Sequence, residues 1–129
     1  MFHASISCSD HEMQVLLQFK SSLIQNSSTD DEINYDLESW DSNTINCCDW
    51  ERVFCDDSSS HVVALDLSKL YLETLEVVAP IISNITSLKK LDLSKNFLRQ
   101  GEIPENVLAN LFQLESDLSY NYDSDELIN

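Results

Sequence analysis

The sequence predicts an α/β solenoid, in which repeated coils share a short parallel sheet and a helical, cysteine-bearing cap seals the amino end. Two observations predict it. Leu65-Asp66-Leu67-Ser68 returns 26 residues later as Leu91-Asp92-Leu93-Ser94, and again, minus its first leucine, as Asp117-Leu118-Ser119. The stretch from Leu88 to Leu98 also follows a fixed grammar, L-x-x-L-x-L-x-x-N-x-L. Self-similarity at a period of about 20–29 residues marks a repeat architecture, where each unit buries its apolar edge only against its neighbours. That organisation points towards a binding surface and away from catalysis.

The cap comes first. Ser9-Asp10-His11-Glu12 fits a capping box, with Ser9 as N-cap and Glu12 reaching back from the third helical position. Met13, Leu16, Leu17, Phe19, Leu23 and Ile24 then fall largely on one side of a helix. Asn26 to Asp36 is polar, acidic and aperiodic, which reads as a loop. Leu37-Glu38-Ser39-Trp40 offers a large aromatic for a small core to bury. Cys47 to Cys55 holds Trp50, Val53 and Phe54 in an alternation that suits a short strand, and Asp56 to Ser60 is a turn.

The repeats follow from His61. Along each strand the leucines point inwards while alternate residues face out. The outward set on the concave side is Ala64, Asp66 and Ser68, then Lys90, Asp92 and Ser94, and these are the candidate binding residues. Glu73 to Leu88 and Glu105 to Leu114 are the convex connectors, irregular or in short helices. Asn96 sits where an inward amide bonds the exposed backbone of the neighbouring coil, and leaving such an amide unpaired costs a few kcal/mol. Asn121 is its equivalent in the third unit, whereas Leu70 stands there in the first, so the ladder begins at the second unit.

Four cysteines occur, Cys8, Cys47, Cys48 and Cys55, and four thiols allow three pairings. Joining the adjacent Cys47 and Cys48 would demand a strained ring. A bridge between Cys48 and Cys55 would close a short loop around Trp50, and one from Cys8 to Cys47 would tie down the N-terminal segment. The rival is a zinc site drawn from these thiols with His11 or His61, but the ligand spacings usual for structural zinc are absent. Oxidised pairs persist in secretory compartments rather than in cytosol.

Acidic residues outnumber basic ones 23 to 7, for a formal charge of -16. Such a field repels phosphate backbones and anionic headgroups, so nucleic acid is disfavoured as a partner, while a cationic peptide or basic protein patch would be attracted. The plainer reading is a solvated surface kept soluble by its charge. No apolar run approaches the roughly 20 residues a membrane-spanning helix needs. Met1 to Ser7 lacks the basic and apolar regions of an export leader. Asn26-Ser27-Ser28 and Asn84-Ile85-Thr86 are acceptor triplets for N-linked sugar, with Asn26 and Asn84 as the candidate sites. His3, His11 and His61 fall in no motif that pairs them with a nucleophile, and a single glycine builds no phosphate loop, so neither an enzyme nor a cofactor is expected.

Taken in order, Cys8, Leu16-Leu17-Gln18-Phe19-Lys20, Leu37-Glu38-Ser39-Trp40 and Cys47-Cys48-Asp49-Trp50-Glu51-Arg52-Val53-Phe54-Cys55 resemble the N-terminal cap of plant extracellular leucine-rich-repeat proteins. Val63-Ala64-Leu65-Asp66-Leu67-Ser68 looks like their first repeat, and Gly101-Glu102-Ile103-Pro104 like the plant-specific G-x-I-P. The likeness covers Cys8 to Asn121 and is nearest in style to receptor-like proteins of the cell surface. It implies bridges from Cys8 to Cys47 and from Cys48 to Cys55. It divides the chain into a leader (1–7), a cap (8–60), two to three leucine-rich repeats (61–121) and an acidic tail (122–129). It implies an extracellular place, a peptide, protein or microbial ligand with a co-receptor, and a role in defence or development. A small inhibitor of the polygalacturonase-inhibitor type is the alternative, as is a product with no autonomous function.

Two departures stand out. Gln100 is extra before Gly101, and one residue is missing between Ser116 and Asp117, which leaves Ser116 facing the core. With two good repeats and one damaged, the expectation is a truncated or decayed copy of a receptor.

Overall fold

In a computed structural model of the chain, residues 8–26, 37–43, 46–99, 105–111 and 113–121 are described. Helix α1 spans Asp10–Asn26. It starts at the capping box: the Glu12 N–H donates to Ser9 Oγ at 3.1 Å, and the Ser9 N–H donates to Glu12 Oε1 at 3.3 Å. Val15, Leu16, Phe19 and Leu23 recur at helical spacing and are buried, while Met13 and Leu17 pack partly buried beside them.

The cysteine segment differs from expectation. Instead of one strand, Cys47–Asp49 forms a 3-10 turn and only Val53–Cys55 forms strand β1. Asn46 causes this. Its Oδ1 accepts from Cys48 N at 2.9 Å and from Cys8 N at 3.1 Å, capping the turn and pinning the incoming segment together. The bridges join Cys8 to Cys47 and Cys48 to Cys55, with Cα separations of 5.7 and 5.6 Å. All four cysteines are paired in these two bridges.

Strand β2 spans Val62–Asp66, β3 Lys90–Asp92 and β4 Glu115–Asp117, and the sheet order is β1-β2-β3-β4. β2, β3 and β4 are parallel, with Leu65 opposite Leu91 and Leu91 opposite Ser116. β1 runs antiparallel to β2, so the sheet is mixed rather than purely parallel. The reason is chain length. The link from Cys55 to Val62 is a tight turn, whereas a parallel crossover needs a dozen residues or more.

Between the parallel strands lie a 3-10 turn at Leu75–Val77, helix α2 at Ala79–Asn84 and helix α3 at Glu105–Leu111. Thr74 caps the first by accepting from Glu76 N at 2.9 Å, and Pro80 opens α2. One apolar core runs without a break from Cys8 to Leu118. After each parallel strand the chain turns sharply through a left-handed residue, Lys69, Lys95 or Tyr120, at φ near 59°. No glycine occupies these positions, and neighbouring coils hold two of them: Lys69 N donates to Ser94 O and Lys95 N to Ser119 O. The leader, the Gly101-Ile103-Pro104 motif and the tail from Tyr122 lie outside the described residues.

Candidate binding face

Phe54, Ala64, Asp66, Lys90, Asp92 and Asp117 line an open groove of about 410 Å³ across the sheet. Phe54 stands at its cap end, on β1, and is 56% exposed. Sheet register places Asp66, Asp92 and Asp117 side by side on successive strands. Neighbouring strands lie about 4.8 Å apart, so the three carboxylates form an evenly spaced row.

Each aspartate is held by the serine two residues on. Asp66 Oδ1 accepts from Ser68 N at 3.0 Å and from Ser68 Oγ at 2.6 Å. Asp92 with Ser94, and Asp117 with Ser119, repeat this arrangement within 0.1 Å. The Asp-x-Ser of every repeat is thus a turn clamp. This corrects the expectation for Ser94, which is only 6% exposed and spends its hydroxyl on Asp92. Ser68 is half-buried for the same reason.

Charge is distributed unevenly. Lys90 reaches Glu115 at 3.9 Å across the exposed face, and Arg52 Nη1 lies 3.7 Å from Asp66 Oδ1. The two Ser119 bonds, hydroxyl first and backbone N–H second, hold the Asp117 carboxyl below the ordinary 3.8, and Lys95 adds to the effect.

Behind the face, Trp40 and Trp50 stack at 5.6 Å between centroids, and the Trp40 indole donates to Glu51 O at 2.8 Å. This pair closes the core beneath β1. Asn96 is 4% exposed and binds five backbone groups: its Oδ1 accepts from Leu70 N and Leu72 N, and its Nδ2 donates to the carbonyls of Leu67, Leu93 and Ser94. Asn121 repeats the pattern one coil on, accepting from Leu98 N at 3.0 Å. Ser116 takes a leucine position opposite Leu91 and donates to Leu111 O at 3.4 Å.

Sequence reasoning missed two residues. Arg52 donates to the carbonyls of Asp66 and Ser68 at 3.0 and 2.8 Å. Glu12, only 4% exposed, accepts from Val62 N at 3.1 Å through the oxygen its capping box leaves over. The capping-box spacing revealed the first half of the Glu12 role, and no signal in the sequence revealed the second.

Of the two glycosylation candidates, Asn84 is exposed at the end of α2. Asn26 is the last residue of α1, and the rest of its triplet lies outside the described residues. Among the described residues, no group of three metal-binding side chains forms and no helix is long and apolar enough to cross a membrane.

Residues 9–56 match the leucine rich repeat N-terminal domain. Receptor-like protein 46 of Arabidopsis thaliana is 37% identical over 112 residues, covering 83% of this chain and 13% of that protein. Receptor-like protein Cf-9 of Solanum pimpinellifolium is 32% identical over 101 residues, covering 69% of this chain and 12% of that one. The chain is thus similar to the N-terminal part of plant leucine-rich-repeat receptor-like proteins. It spans about an eighth of the length of these receptor-like relatives. A crystal structure of a plant ice-binding protein superposes with a TM-score of 0.55 at 20% identity, over 88% of this chain and 41% of that one, which places the path of the chain among known folds. The leucine-rich-repeat character and the disulfide-bonded cap stand together with this family.

Proposed function

We propose that the chain forms the cap and first coils of an extracellular solenoid, in a receptor-like protein that perceives a peptide, protein or microbial ligand through its sheet face. The observation that carries this reading is the exposed groove from Phe54 to Asp117. A large aromatic and a register-matched row of carboxylates there face solvent while the leucines beneath them are sealed. The division into cap (8–60) and repeats (61–121) belongs to the same reading, as do a co-receptor and a role in defence or development. The ligand chemistry that suits the face is basic and extended. Lysine or arginine would meet the outward oxygens of Asp66, Asp92 and Asp117, and an apolar side chain would cover Phe54.

The reading is non-enzymatic. The Ser87 hydroxyl donates to Val62 O at 2.7 Å, and the Glu12 Oε2 that lies 3.2 Å from it already accepts from the Val62 N–H, so both groups serve the packing of α1 on β2. A protein interface usually takes about 800 Å² from each partner, so the first three strands would supply part of a contact that further coils complete.

Calorimetric titration with extended arginine- and lysine-containing peptides tests the reading. Binding that weakens at least tenfold in Phe54→Ala and in Glu115→Lys, an exposed groove position outside the turn clamps, with melting unchanged, supports it. Binding indifferent to both substitutions would move the site off this face.

A further inference from the structure

We propose that the Cys48–Cys55 bridge is a thiol-operated latch, whose reduction frees the loop carrying Arg52 and Phe54 while the Cys8–Cys47 bridge stays closed. Its effect on a ligand rests on the reading of the sheet face above; the opening of the loop does not. The two bridges differ in access. Cys8 and Cys47 are 6% and 0% exposed, whereas Cys48 and Cys55 are half-buried at the rim of the core. A thiol therefore meets the second bridge first.

The loop it closes is held against two costs. Trp50 Nε1 is buried and finds no acceptor among the described residues, and a buried donor left unpaired is destabilising. Arg52 sits at φ 75°, in the left-handed region that a side chain with a Cβ disfavours. Both residues lie between Cys48 and Cys55, so opening the bridge lets both relax. The same loop supplies the Arg52 guanidinium to the Asp66 and Ser68 carbonyls and the Phe54 ring to the groove. On the other side of Cys48, Asn46 Oδ1 accepts from Cys48 N and from Cys8 N, which confines the opening to the loop.

The chemistry is thiol–disulfide exchange. A thiolate attacks Sγ of Cys48 or Cys55, the bond between the two sulfurs breaks, and the other cysteine leaves as a thiolate that takes up a proton. A second thiolate then attacks the incoming sulfur of the mixed disulfide and releases the remaining cysteine in the same way. Two small thiols thus supply two electrons and end as their own disulfide. Asp49, Glu51 and Asp57 are exposed in or beside the loop, and their charge repels an anionic reductant. The reductant this site takes is a small thiol that carries a cation.

The test treats the oxidised full chain with cysteamine or with mercaptoethanesulfonate, cationic and anionic thiols of matched length. Each rate is divided by that on an unstructured disulfide peptide. Alkylation and peptide mapping should label Cys48 and Cys55 at least tenfold faster than Cys8 and Cys47, and faster with cysteamine. Hydrogen exchange should rise at least tenfold at the Asp66 amide, which donates to Arg52 O, and stay unchanged at Leu93, which donates to Asp117 O. The double variant Cys48→Ser, Cys55→Ser should show the same exchange without reductant. Reduced Trp50→Phe, which lacks the unpaired donor, should keep more Asp66 protection than the reduced parent. Four cysteines opening together, or a selective opening that leaves Asp66 protected, overturns the latch. Arginine- and lysine-containing peptide should bind the reduced protein at least tenfold more weakly. Equal binding to both forms would overturn the latch and leave the face standing; no binding to the oxidised form would overturn the face, with alkylation and exchange still deciding the latch.

Discussion

Arg52 Nη1 donates to the backbone carbonyl of Ser68 at 2.8 Å, and through the same nitrogen to that of Asp66 at 3.0 Å. One coil further on, the equivalent carbonyls of Ser94 and Asp92 accept from the backbone N–H groups of Lys69 and Leu67. Arg52 thus replaces two backbone donors that a preceding coil would have supplied. A single side chain converts the end of a repeating ladder into a finished edge. Arg52→Met should cost about 1.5–3 kcal/mol, the range for hydrogen bonds made by a charged group, and Arg52→Lys less. Urea unfolding reads it; a methionine variant as stable as the parent would mean that water serves these carbonyls equally well.

Glu12 closes the opposite end of β2. Its carboxylate links the α1 N-terminus to Val62 N, 50 residues away, and His61 Nδ1 lies 3.5 Å from the other oxygen. Glu12→Gln keeps the shape but turns one acceptor into a donor, which leaves either Ser9 N or Val62 N without a partner. A loss of about 1–3 kcal/mol is expected in thermal or denaturant melts. Hydrogen exchange at the Val62 amide should rise with it, and unaltered protection there would contradict the link.

The two ladder asparagines should differ. Asn96 is enclosed between two coils, while the hydrogen bonds of Asn121 are partly exposed. Asn96→Ala strands the Leu70 and Leu72 N–H groups in the core, at a cost of roughly 2–4 kcal/mol, and Asn121→Ala should cost less than half of that. The order of the two melting shifts is the readout, and a larger shift for Asn121 would reverse the account.

Reduction should separate the bridges. Cys48→Ser or Cys55→Ser opens a loop with a sequence separation of 7, worth about 2.5 kcal/mol by chain entropy. Cys8→Ser opens one with a separation of 39, worth about 4. Melts under oxidising conditions should rank the variants in that order.

Acid should loosen the third turn clamp in a defined sense. The folded Asp117 carboxyl is held below its ordinary value, chiefly by the Ser119 hydroxyl. Its contribution is therefore present above the unfolded value near 3.8 and fades as pH falls through the lowered folded value. Ser119→Ala should bring the Asp117 titration back towards the ordinary value, as followed by carboxyl carbon NMR. A midpoint that stays put would assign the shift to the backbone N–H and Lys95 instead.

Much of this was legible from spacing. The capping box fixed the start of α1, and the returning Leu-Asp-Leu-Ser located three strands. The inward role of Asn96 followed from the leucines around it. These are local patterns, written within a turn or a strand, where residue type and period dictate which way a side chain points. Ser94 was misread because alternation tells which side a residue leaves from and says nothing of whether the next turn folds over it.

The amino-acid sequence alone determined the period of the coils, the candidate bridges at the amino end and the acidity of the outward face. Tertiary structure decided the rest: that β1 runs antiparallel, that Trp50 lies under the sheet while Phe54 stands on it, and that Arg52 and Glu12 finish the two ends of β2. The contacts of Arg52 and Glu12 reach partners between 14 and 50 residues away. A contact at that distance leaves no period in the chain; it exists only once the intervening coil has closed and brought an unpaired backbone group within reach of a charge.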